Sequence, residues 1–162
     1  MNNYRWLKIL LTFVLCFILQ TTVADWLRIF DIGPDFVVIM VVSIALKYGP
    51  AAGCFWGFCA GFTQDVYAPV EWLGAHTIAL TCLGFVVGQV EERILTLNLP
   101  AKVGVLALGF CASDLVYFLL TGLGKDVFAP LLISKTLPEC VYTVVVGAVV
   151  FRLSVGKKKR HV

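Results

Sequence analysis

Asp35, Asp65, His76, Asp114, Lys135 and Glu139 are ionisable side chains set in or at the ends of apolar stretches. A charge at the centre of a bilayer costs roughly 2.5 to 3.5 kcal/mol on insertion scales, so such groups face protein or water, where proton relays and ligand sites are built. Asp65 is the sharpest case, lying near the end of GFCAGFTQDVYAP (Gly57 to Pro69) with no basic residue beside it. Lys135 and Glu139 are one helical turn apart and share a face, which allows an ion pair beside Pro138. His76, alone near a helix start, reads as a hydrogen-bonded histidine. Three roles stay open for Asp65, Asp114, Lys135 and Glu139: a buried network that fixes helix register with carboxylates neutral or paired, a docking site for another protein, or a path for a small molecule or a proton.

Catalytic signatures are missing. The chain has no GxSxG, no HExxH, no phosphate loop and no paired-aspartate motif for magnesium and a lipid diphosphate. Its six cysteines (Cys16, Cys54, Cys59, Cys82, Cys111 and Cys140) fall within apolar segments, lack CxxC spacing and do not cluster with the histidines. They read as small apolar residues rather than zinc ligands or a disulfide framework. The expectation is a protein that is not an enzyme, with no cofactor, no metal and no nucleic-acid partner.

The elements that must position these groups are membrane helices. Of 162 residues, 60% are hydrophobic and 14% charged, and the mean hydropathy is +0.92; a soluble domain carries about 25% charged residues. The predicted fold is an all-α polytopic bundle forming one integral membrane domain over residues 1–162, without a soluble module. Six segments are predicted: Tyr4–Ala24, Pro34–Tyr48, Pro50–Ala68, Leu73–Val90, Ala101–Gly122 and Phe128–Leu153. The second is short and joins the third through Gly49, as a tight hairpin or a partly re-entrant pair. Pro34, Pro50, Pro100 and Pro130 lie near helix starts, and Pro138 should kink the sixth helix.

Positive charge near membrane ends stays cytoplasmic. With both termini inside, Arg5, Lys8, Lys47, Arg93, Lys102, Arg152 and the tail Lys157 to Arg160 are cytoplasmic, and Arg28 and Lys125 are outside. The first segment also has the outline of a secretory signal, with Thr22-Val23-Ala24 as a poor cleavage site. The tail GKKKRH reads as a topology signal that grips anionic lipid, or as a contact for an acidic cytoplasmic partner. In this threading Asp35, His76, Lys135 and Glu139 fall in the outer half beside Asp65 and Asp114, forming a polar cluster that opens outward.

Gly49, Gly53, Gly57 and Gly61 recur every four residues, and Asp65 is the next step. Small residues at that spacing let helix backbones approach closely in lipid, so Asp65 continues a packing face and points into the bundle. Gly84 and Gly88 repeat the pattern in the fourth segment and make a partner for it. The spacing does not say whether the ridge serves this chain or another. GFCA occurs at Gly57 and at Gly109, each time ahead of an Asp at unequal distance, a weak repeat at most.

Pro34-Asp35 opening a short apolar helix, then GCFWGFCAGFTQD with Gly57, Gly61 and Asp65, then LGAHTIAL with Leu73 and Gly74, resembles the rod shape-determining protein MreD family. Length, helix count and the lack of extramembrane domains agree along the whole chain. One departure is Ala68-Pro69, where family members often have Ser-Gly. The resemblance implies a non-enzymatic subunit of the bacterial elongation machinery in the cytoplasmic (inner) membrane. It would associate with MreC, and indirectly with MreB, RodZ, RodA and a class B penicillin-binding protein, to organise sidewall peptidoglycan synthesis. Its fold would be similar to that of the substrate-binding subunits of energy-coupling-factor transporters. Such a vitamin-type transporter subunit is the rival reading, with the outer polar cluster as its ligand site; an Ala-x-x-x-Ala contact helix for a coupling subunit is not evident. An unassigned membrane assembly factor is a third.

Overall fold

The computed structural model describes residues 3–23, 33–90, 99–122, 130 and 132–158. Arg28, Arg93, Lys125, Lys159, Arg160, the Ala24 end of the first predicted segment and the Phe128 start of the sixth lie outside the described residues. Among the described residues there are six α-helices and no strand: α1 (Asn3–Ile18), α2 (Phe36–Tyr48), α3 (Pro50–Asp65), α4 (Ala75–Gly88), α5 (Leu99–Thr121) and α6 (Leu137–Lys158). Wide π turns extend α1 (Leu19–Val23) and precede α6 (Leu132–Thr136), and a short 3₁₀ turn (Val70–Trp72) leads toward α4.

Chain direction alternates from helix to helix. Gly53, Gly57 and Gly61 of α3 meet Gly84, Leu80 and Thr77 of α4 in descending order, so these two are antiparallel. Cys111 and Leu106 of α5 meet Cys140 and Gly147 of α6, again antiparallel. Asp35 and Ile39 of α2 meet Thr143 and Gly147 of α6, so those two run the same way. The amino ends of α2, α4 and α6 therefore gather with the carboxyl ends of α1, α3 and α5 at one end of the bundle.

Helix α2 is the core of the bundle. Val37 to Val42 and Ile44 to Leu46 are all buried, and the helix packs on each of the other five. At 13 residues it is about 20 Å long against a hydrocarbon thickness of about 30 Å. Among the described residues, three stretches are long and apolar enough to cross a membrane: Val70–Gly88, Leu99–Thr121 and Ser134–Arg152. Large apolar side chains such as Phe55, Phe58, Phe62, Val141, Val145 and Val149 point outward, as suits a bundle whose solvent is lipid.

A single residue, Gly49, joins α2 to α3, and its φ of 86° lies in the left-handed region that glycine enters without a steric cost. The pair is thus a tight hairpin, with Pro50 at the first position of α3. In α6, Pro138 stands at the second α-helical position, directly after the π turn. Proline has no N–H to offer the Ser134 carbonyl, and a wider turn ahead of it accommodates that missing bond. The irregularity predicted inside the sixth helix is therefore a change of helix type at its start.

Candidate functional site

The polar residues converge on the end of the bundle where α2, α4 and α6 begin. In hydrocarbon every exposed helix N–H needs a partner, because no water is present to supply one. The two Asp residues at helix ends meet that demand in different ways. Asp35 caps its own helix: its Oδ1 accepts from Val37 N at 2.8 Å and Val38 N at 3.0 Å. Phe36 N donates to Oε1 of Gln20, from the π turn of α1, at 2.8 Å. Asp35 N donates to Oγ1 of Thr143 at 3.0 Å, tying the start of α2 to α6.

Asp65 caps a different helix. Gly74, the residue before α4, has a φ of 97° and no side chain with which to cap. Asp65, at the end of α3, fills that place from across the turn. Its Oδ1 accepts from His76 N at 3.1 Å, its Oδ2 from Thr77 N at 2.9 Å, and the Thr77 hydroxyl donates to the same Oδ2. A carboxylate there also meets the positive end of the α4 dipole. The residue is only 2% exposed, and its carboxyl oxygens are met by two backbone amides and one hydroxyl.

The glycine ridge runs directly below this cap. A Cβ added at Gly53 would fall on the Gly84 carbonyl, one at Gly57 on the Leu80 carbonyl, and one at Gly61 on the backbone of Thr77. Reciprocally, a Cβ at Gly84 would strike the Gly53 carbonyl, and one at Gly88 the backbone of Pro50. The ridge is therefore filled by α4 of the same chain.

A second polar group sits between α2, α5 and α6. The Thr136 hydroxyl, buried in the π turn, lies within reach of the Asp114 carboxyl. Asp114 also lies within electrostatic reach of Asp35 and Lys135. The two groups are linked by Tyr117, which stacks on the His76 ring with centroids 4.2 Å apart and lies within reach of both Asp65 and Asp114. Lys135 is exposed and Glu139 half-buried. Asp35, Asp65, His76, Asp114 and Lys135 thus share one end of the molecule, as two helix caps and an acid that faces the Thr136 hydroxyl.

Thr77, Thr136, Thr143, Tyr117 and Gln20 complete the site, and nothing local in the sequence marks them. Threonine and tyrosine are unremarked in membrane helices, and Thr143 meets its partner across 108 positions. Among the described residues, no group of three or more His, Cys, Asp or Glu side chains is placed to hold a metal ion.

A bundle of this kind, with apolar outer faces, spanning helices and acids tied to helix starts at one end, defines a multi-pass integral membrane protein. The family model for the rod shape-determining protein MreD matches residues 1–156, and the chain belongs to that family. It is accordingly a bacterial membrane protein of cell-shape determination, from a family of shape-determining rather than enzymatic proteins. No curated protein and no solved structure matches the chain.

Proposed function

We propose that this chain is a non-enzymatic subunit of the cell-elongation complex in the cytoplasmic membrane, with both termini in the cytoplasm. In this role it associates with MreC and, through the assembly, with MreB, RodZ, RodA and a class B penicillin-binding protein. The observation that carries this reading is the family match over residues 1–156. The use of the polar groups supports it: Asp35 and Asp65 are engaged in capping helices and Asp114 faces the Thr136 hydroxyl. Because α4 occupies the glycine ridge, contact with MreC falls to other helix faces.

The test is mild cross-linking in native membranes, solubilisation and identification of what co-purifies with the tagged chain. Recovery of MreC with wall-synthesis enzymes is the expected result. Recovery of an ATPase module with a coupling membrane subunit would replace this reading with a transporter role.

A further inference from the structure

The α5–α6 seam holds two thiols in contact. Cys111 Sγ donates to Cys140 Sγ at 3.8 Å, and Cys140 Sγ donates to the Ala107 carbonyl at 3.9 Å. Cys140 thus sits over the turn of α5 between Ala107 and Cys111. Cys140 is 8% exposed, and both thiols are free. A disulfide needs sulfurs about 2.05 Å apart, so bonding requires this pair to close inward from van der Waals contact. Cys140 lies two residues after Pro138 and four after the π turn, where Pro138 has no N–H to offer the Ser134 carbonyl.

We infer that Cys111 and Cys140 form an intramembrane redox pair, oxidised to a disulfide that staples α5 to α6, with a lipid-soluble disulfide as co-reactant. In the first exchange one thiol loses its proton, its sulfur attacks the reagent, the reagent's S–S bond breaks and one reagent thiol leaves. The second cysteine, on losing its proton, attacks the mixed disulfide, forming the Cys111–Cys140 bond and expelling the second reagent thiol. Both protein thiols are oxidised and one reagent disulfide is reduced to two thiols. The staple lies one helical turn from Asp114, so oxidation fixes the seam beside the Asp114–Thr136 contact.

The experiment treats the membrane-embedded chain carrying Cys16→Ala, Cys54→Ala, Cys59→Ala and Cys82→Ala with 2,2′-dipyridyl disulfide. The expected result is about two equivalents of pyridine-2-thione per chain, an intact mass lower by two hydrogens, no remaining maleimide-reactive thiol, and full reversal by dithiothreitol. Stable pyridyl adducts on one or both cysteines, or no thione release, would overturn the inference. Should the fourfold variant fail to accumulate, the natural chain is oxidised in the same way, alkylated and digested. A Cys111–Cys140 linked peptide supports the pair; both cysteines alkylated, or each linked elsewhere, refutes it.

Discussion

The α3–α4 seam and the α5–α6 seam are both antiparallel helix contacts, yet they are made from different materials. In the first, backbone meets backbone: five glycines leave no room for a Cβ, and Asp65 locks the upper end by capping the neighbouring helix. In the second, side chains keep the helices apart. Leu106 reaches over Gly147, the two thiols touch, and the Thr136 hydroxyl faces Asp114. A backbone seam has one geometry, because a carbonyl cannot rotate out of the way. A side-chain seam can be rearranged by a rotamer change, a lost hydrogen bond or an oxidation.

The comparison ranks substitutions. Gly57→Leu has the largest expected effect, since it drives a side chain into the Leu80 carbonyl; a cost of about 3 kcal/mol or more should show as loss of membrane-inserted protein in a yield assay. If Gly57→Leu accumulates normally, the backbone seam does not carry the fold. Asp65→Ala comes next, leaving two α4 amides and the Thr77 hydroxyl without their acceptor. It should cost about 2 kcal/mol, and Asp65→Asn less, because Asn also caps well; detergent-unfolding midpoints would order the three proteins.

In the other seam, Gly147→Ala strikes the flexible end of the Leu106 side chain and leaves Ile39 at ordinary contact distance, and should cost about 1 kcal/mol. Gly84→Ala, which strikes the Gly53 carbonyl, should exceed it clearly in the same unfolding assay. Equal losses would erase the distinction between the seams. Thr136→Val removes the hydroxyl from Asp114 and should cost about 1 kcal/mol. The smallest effect belongs to Gly104→Ala in α5, where a Cβ meets nothing within 4 Å. Higher helix propensity should leave the midpoint unchanged or raise it by up to about 1 kcal/mol.

The spacing of the glycines and the step to Asp65 are visible in the amino-acid string because both follow the turn of one helix. What Asp65 does is not. Its acceptor role depends on α4 starting at a residue, Gly74, that cannot cap itself, and on a turn that brings His76 and Thr77 back over the end of α3. Six apolar segments and the Gly49 hairpin were likewise legible from hydropathy and turn chemistry. Helix α2 as the common core was not, since its Val- and Ile-rich run reads the same whether it faces lipid or protein. Tyr117 and Thr136 escaped notice for a related reason: nothing local to either marks the acid it meets on another helix.

The burial of α2 bears on how the protein is made. A 13-residue helix is short for a stable resident of lipid by itself, and its neighbours include α5 and α6, which leave the ribosome long after it. Until α6 arrives, Asp35 N lacks Thr143 and Ile39 lacks the surface at Gly147. Helix α6 therefore closes the core: a chain cut short before it leaves α2 without the groups that hold its amino end in place.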